Sequence, residues 1–158
     1  MSDKTLNVGA LYTERLLDHA RNSRRRGELS LPCAVGKASN RLCGDEVAIG
    51  LRVDSDRVVA FGFEADACAM TLASSSMLGE AALTHPVAGV IALADAFGDW
   101  LNRDDGGPPA DIIRRADFDA FAELKKLPSR RRCALLPFEA FSAALQQIEM
   151  DDTEHDRG

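Results

Sequence analysis

Two alternating runs separated by a short acidic turn constrain this chain more than any other feature. Val47, Ile49, Leu51 and Val53 alternate with Ala48, Gly50 and Arg52; Val59, Phe61, Phe63 and Ala65 alternate with Ala60, Gly62 and Glu64. A period of two places each apolar set on one face of a strand. The "DSD" of residues 54–56 can turn the chain between them. The pair therefore predicts an antiparallel hairpin with one apolar face that a second layer must cover.

That cover reads as helical. Residues 7–21 place Tyr12, Leu16 and His19 on one helix face, with charges on the other. After the hairpin, "CAMTLASSSMLGEAAL" combines small residues with Leu, Met and Ala, which predicts a helix packed closely against a neighbour. Pro86 suits the first turn of the next helix, whose apolar stripe is Val87, Val90, Ile91, Ala94, Phe97 and Leu101. "NRDDGGPPAD" reads as a surface loop. Phe118, Phe121 and Leu124 mark a short helix, and the last helix starts near Pro137 and buries Phe138, Phe141, Leu145 and Ile148. Between the first helix and the hairpin, residues 22–40 read as loop with a short strand near 29–34. Helix, hairpin and then only helices argues α+β: a small antiparallel sheet of about three strands, with helices packed on one face and at the ends. A single domain over residues 1–148 suits a chain of 158 residues, and the acidic segment 149–158 predicts a disordered tail.

Composition narrows the function classes. The chain is 46% hydrophobic and 28% charged, as soluble globular proteins are. Its first residues show no basic segment followed by an apolar run, and no apolar stretch is long enough to span a bilayer. The expected location is cytoplasmic, with no membrane partner. A net charge of −6 opposes nucleic-acid binding. Two arginine runs oppose the trend, at residues 24–26 and 130–132. The first reads as a solvated face; the second abuts Cys133.

The cysteines are Cys33, Cys43, Cys68 and Cys133, with no C-x-x-C pair. In a reducing compartment a disulfide framework is not expected, and an inert buried thiol is one reading of each. Their places along the chain admit another. Cys43 enters the hairpin. Cys68 leaves it at a helix N-terminus, where the dipole favours thiolate. Cys133 precedes the last helix. If these ends meet, three thiolates and the Asp45 carboxylate suit a tetrahedral zinc ion, while thiolate softness equally admits iron–sulfur chemistry. Gly44 permits the tight turn that would let Cys43 and Asp45 face one ion. Four anionic ligands leave net negative charge, which the arginines of 130–132 stand near enough to offset. An Asp-containing set is more exchangeable than an all-cysteine one, and a Cys43 thiolate released from it can attack a sulfur. A zinc that only staples the fold is the competing reading. No histidine stands beside a thiol in sequence, which disfavours a Cys–His hydrolase. The serines of 74–76 read as a close-packed helix face.

Four segments, in order, carry a resemblance. "HARNSRRRGEL" (His19, Asn22, Arg24, Gly27) resembles H-x-x-N-P-R-N-x-G; "NRLCGD" resembles N-P-T-C-G-D; "ACAMTLASSSML" resembles G-C-x-x-x-x-A-S-S-S; and "LPSRRRCALLPFEAF" resembles a third-cysteine segment leading into a last helix. Over about residues 11–145 the chain resembles the U-type iron–sulfur cluster assembly proteins, the IscU/SufU/NifU N-domain family. The long stretch between Cys68 and Cys133 is similar to the SufU-like branch. So is Arg132, which stands where the IscU branch has a histidine ligand. "LPSRR" replaces the L-P-P-V-K chaperone motif of the IscU branch. Ser23, Arg25, Arg41, Leu42 and Ala67 depart from the family pattern, and the loop 29–40 with Cys33 is enlarged.

The resemblance implies the U-type scaffold fold and zinc held by Cys43, Asp45, Cys68 and Cys133. It implies a sulfurtransferase-like accessory protein rather than a stand-alone enzyme. Its partner would be a SufS-type cysteine desulfurase, which carries pyridoxal phosphate, and downstream cluster-assembly proteins would receive the sulfur. Cys43 would accept persulfide sulfur after a partner histidine takes its place on zinc, with Arg130 supporting the site and His19 a docking or site-edge residue. The alternative within the same resemblance is a scaffold that assembles and transfers a [2Fe–2S] cluster on Cys43, Cys68 and Cys133.

Overall fold

The hairpin forms as its alternation predicts, with one local exception. The computed structural model of the protein describes residues 14–27, 34–103 and 107–157. Strands β2 (Asp45–Asp54) and β3 (Arg57–Asp66) pair antiparallel, with Ile49 opposite Phe63 and Leu51 opposite Phe61. Ile49, Leu51 and Phe63 are fully buried, each stabilising the fold by about 1.5–3 kcal/mol relative to an exposed side chain. The register slips between Arg52 and Val53, so that Val53 faces Val58 and Val59 is the extra residue. A bulge of this kind inverts the alternation beyond it. Val58 is consequently buried, and Val59, expected on the core face, is 50% exposed.

A third strand, β1 (Ala34–Asn40), pairs antiparallel with β2 and completes a sheet of order β1-β2-β3. It lies later than the segment 29–34 where the sequence suggested a strand. Its composition, AVGKASN, is poor in β-branched and aromatic residues, so packing rather than propensity makes it a strand. Gly36 explains the packing: a Cβ there would stand 2.0 Å from the Ala140 carbonyl oxygen. Only a glycine lets the last helix approach this closely.

The helices cover the sheet. In chain order they are α1 (Glu14–Arg21), α2 (Ala69–Thr84), α3 (Val87–Asn102), α4 (Asp111–Arg115), a 3-10 helix (Phe118–Lys126) and α5 (Pro128–Arg157). α5 packs across β1 and β2, and α2 packs on β3, α1 and α5. The fold is α+β. Phe97, Phe118, Phe121 and Phe138 form a ring cluster that joins the α3 region to α5, with centroids 4.9 Å apart for Phe97 and Phe118. Phe118, Phe121 and Leu124 recur every three residues, the period of the 3-10 helix that buries them. In α3, Leu93 and Trp100 join the core and the expected Ile91 does not; it is 44% exposed.

Two expectations about the C-terminal region are corrected. The last helix begins at Pro128, not near Pro137, so Cys133 lies within it rather than before it. Pro128 occupies the first helical position, where proline is favoured, and Pro137 sits in the interior, where its missing N–H suggested a start. The acidic segment expected as a disordered tail continues α5 as helix through Arg157. Glu149 and Asp151 break no helical hydrogen bond, and Gln147 Nε2 donates to Asp151 Oδ1 across one turn at 3.2 Å. Tyr12, Cys33 and most of the segment 29–34 lie outside the described residues. Among the described residues no helix is long and apolar enough to cross a membrane.

Candidate metal centre

The β1–β2 connection is built around Asn40 and Gly44. Asn40 ends β1, buried, and pairs with Asp45 at the start of β2. Its side-chain oxygen accepts from the Leu42 N–H at 3.1 Å, and its carbonyl accepts from the Gly44 N–H at 2.8 Å. Gly44 has φ +75°, a conformation in which a larger residue is strained. The turn leaves Cys43 exposed at its tip while turning Asp45 inward, where it is 4% exposed. Leu42, beside Cys43, is 93% exposed.

Cys68 is the N-cap residue of α2. Its N–H donates to Asp45 Oδ1 at 3.1 Å, so the carboxylate at the head of β2 also satisfies a free donor at the helix start. Thr71, in the first turn of α2, brings its hydroxyl within 2.6 Å of Asp45 Oδ2. Cys133 arrives from α5, fully buried.

The β1–β2 turn and α5 bring Cys43, Asp45 and Cys133 together: one ligand atom from each lies within 4.8 Å of the others. The Cys43 and Cys133 sulfurs are 3.9 Å apart. Two corners of a tetrahedron with zinc–sulfur bonds of about 2.3 Å are about 3.8 Å apart, so this spacing fits a shared zinc ion. Cys68, expected as the fourth ligand, is not one of this group; its thiol lies 3.5 Å from the Thr71 hydroxyl.

The electrostatics distinguish the thiols. A hydrogen bond from Cys133 is the main influence on Cys68, and against the cost of burial it and Thr71 lower the Cys68 pKa to about 6. Cys133, donating to Cys68 and buried, is pushed up and stays a thiol. Burial works to raise the Asp45 pKa, but hydrogen bonds from Thr71, Cys68 and Cys43 together hold it below the usual carboxylate range. The pocket thus already carries Asp45 as an anion and Cys68 as a thiolate near neutral pH, a donor set suited to a cation.

One family profile, that of the NifU-like N terminal domain, matches residues 11–134. The chain belongs to this family. This NifU-like chain is 28% identical over 143 residues to the zinc-dependent sulfurtransferase SufU of Bacillus subtilis (strain 168), covering 90% of this chain and 95% of the relative. It is 26% identical over 137 residues to the iron–sulfur cluster assembly scaffold protein IscU of Streptococcus pyogenes serotype M1, covering 87% and 84%. The crystal structure of a nitrogen-fixing NifU-like protein (N-terminal) from Brucella abortus matches it with a TM-score of 0.80 at 29% identity, covering 91% of this chain and 98% of that one.

Other residues singled out in the sequence take definite places in the NifU-like fold. Arg130 is exposed on α5, three residues before Cys133 and so on a neighbouring stripe of the helix. Arg131 donates from Nε to the Lys125 carbonyl at 3.0 Å, and Arg132 lies 3.9 Å from Glu139. His19 hydrogen-bonds through Nδ1 to Ser76 Oγ at 2.7 Å, joining α1 to α2. Burial, then the Arg24 charge, lowers its pKa. Ser74, Ser75 and Ser76 are fully buried, not on one face as expected but around α2: Ser74 bonds the Ala134 carbonyl of α5, Ser75 the Thr71 carbonyl of its own helix and Ser76 the His19 ring of α1.

Thr71 and Pro137 were not anticipated as site residues. The signals were present: Thr71 stands three residues after Cys68, and Pro137 stands four after Cys133, where it removes the helical donor to the Cys133 carbonyl. Neither is legible without knowing that α2 and α5 touch there.

Proposed function

We propose that this NifU-like chain is a zinc-dependent sulfur acceptor in iron–sulfur cluster assembly, working beside a SufS-type cysteine desulfurase. The observation that carries the reading is the asymmetry of the site. Cys43 is exposed at a turn tip, yet its sulfur is 3.9 Å from that of the fully buried Cys133. One ligand can leave and face a partner while the others stay anchored. Cys43, Asp45, Cys68 and Cys133 are the residues that would hold zinc. When bound, zinc would keep the thiols deprotonated at neutral pH and offer Cys43 an exchangeable position.

Cys43 thiolate then attacks the outer sulfur of a persulfide carried by the desulfurase's cysteine. A sulfur–sulfur bond forms at Cys43, the partner's sulfur–sulfur bond breaks, and the partner cysteine leaves as thiolate with the electron pair. Leu42, exposed beside Cys43, offers an apolar contact for that partner, and Arg130, three residues before Cys133 on α5, would support the site with its positive charge. The kinship with a protein named zinc-dependent sulfurtransferase supports the same chemistry. Downstream assembly proteins would take the sulfur from Cys43.

A second reading is supported by relatives named as scaffolds: the same sulfurs would assemble and pass on a [2Fe–2S] cluster. Metal analysis separates the two. The sulfur acceptor purifies with about one zinc per chain and loses it on Asp45→Ala or Cys133→Ala. A scaffold instead develops cluster absorption on anaerobic addition of iron and sulfide and passes that cluster to an apo-acceptor.

A further inference from the structure

Pro137 lacks an amide hydrogen, so in α5 the carbonyl of Cys133 has no backbone donor four residues on. The Thr71 hydroxyl, arriving from α2, is 3.1 Å from that carbonyl. The same hydroxyl is 2.6 Å from Asp45 Oδ2. A hydroxyl has one hydrogen to donate, and an ionised carboxylate and a carbonyl can only accept. The Cys68 sulfur lies farther off at 3.5 Å and is also served by the Thr71 backbone N–H. The hydroxyl therefore serves one acceptor at a time, and the two oxygens are the nearer ones. The shorter contact and the charged acceptor assign its hydrogen to Asp45 in this arrangement.

Asp45 Oδ1 meanwhile accepts from the Cys68 N–H at 3.1 Å, so both carboxylate oxygens already have donors. Neighbouring hydroxyls do not substitute for Thr71. Ser74 is committed to the Ala134 carbonyl at 2.6 Å, and Ser75 to the carbonyl of Thr71 itself at 2.8 Å.

We propose that Thr71 is a positioning residue that makes Asp45 an exchangeable ligand. Its hydroxyl holds the carboxylate until a metal competes for it. The hydroxyl then turns to the Cys133 carbonyl, which Pro137 keeps free to receive it. The inference rests on the zinc reading above. It gives that reading a physical reason for a loosened ion: the carboxylate has a competing hydrogen-bond donor, and the donor has a second acceptor waiting.

The test measures zinc affinity by chelator competition and zinc release by stopped flow. It uses the wild type, Thr71→Val, Thr71→Ser, Pro137→Ala and the Thr71→Val/Pro137→Ala pair. Valine is isosteric without the hydroxyl, so Thr71→Val binds zinc roughly fivefold tighter and releases it more slowly, because Asp45 loses a charged hydrogen bond and Cys133 only a neutral one. Thr71→Ser behaves as wild type. Pro137→Ala, which favours the helix, gives the Cys133 carbonyl an amide donor and leaves the hydroxyl with Asp45 alone. Zinc therefore binds more weakly in that variant, and the effect disappears in the Thr71→Val background. Unchanged or weaker binding in Thr71→Val overturns the proposal, as does a Pro137→Ala effect that persists when the hydroxyl is gone. A wild type that takes up no zinc overturns the zinc reading itself, a result distinct from any pattern among the variants.

Discussion

Gly36 and Ala140 meet backbone to backbone: a Cβ on Gly36 would stand 2.0 Å from the Ala140 oxygen, and 2.3 Å from the Ala144 nitrogen. This contact sets the depth of α5 against the sheet. It thereby sets the height at which Cys133 faces the β1–β2 turn. Neither neighbouring atom is the flexible end of a side chain, so the helix itself must move to admit a methyl group. Gly36→Ala is expected to cost about 3 kcal/mol or more in urea unfolding, at the severe end of overpacking. It should also weaken zinc binding, because α5 carries Cys133 away from Cys43. Wild-type stability in this variant would mean that α5 does not pack on β1 as described.

If Leu42 docks the partner as proposed, its effect falls on recognition and not on the fold. At 93% exposure it contributes nothing to the core. Leu42→Ser should leave unfolding within about 0.5 kcal/mol of wild type and leave zinc content unchanged. The concentration of protein needed to half-saturate sulfur transfer from the desulfurase should rise several-fold. An unchanged concentration dependence would remove Leu42 from the docking surface.

The sheet's alternation and the helical cover could be read from the chain because both follow local periods. What escaped was set by contact between distant segments. β1 is a strand because Gly36 fits under α5, not because AVGKASN prefers one. Val59 was misplaced by a single bulge. Pro137 resembles a helix start in sequence, and only the Thr71 hydroxyl beside the Cys133 carbonyl shows how a proline is accommodated there. Cys43 and Cys68 were legible as candidates from their places at element ends, whereas Cys133, read as preceding the last helix, lies inside it, and its approach to Cys43 depends on α5 crossing β1 and β2. Thr71 lay hidden in a helix whose small residues spoke only of close packing.

The stability of the chelator-treated, reduced protein should follow pH with a definite shape. Cys68 titrates near 6 in the fold against an ordinary 9.0, so the folded thiolate contributes stability that is complete above pH 9 and is lost as pH falls toward 6. Cys133 acts in the opposite sense: its folded pKa is raised, so above pH 9 the unfolded chain gains by ionising that thiol and stability declines. His19, with a lowered pKa, adds to the loss below about 6.5. The midpoint of urea unfolding should therefore rise from pH 6 to pH 9 and fall beyond it. Cys68→Ala should flatten the rising limb. A wild-type limb as flat as the variant's would contradict the assignment of the thiolate to Cys68.

The most direct test of the account is the mass of the zinc-loaded protein after incubation with a SufS-type desulfurase and cysteine, followed by peptide mapping under non-reducing conditions. The account predicts a gain of one sulfur located on Cys43, absent in Cys43→Ala although that variant remains folded. Sulfur found on Cys68 or Cys133 instead, or no gain while the desulfurase turns over, would contradict it.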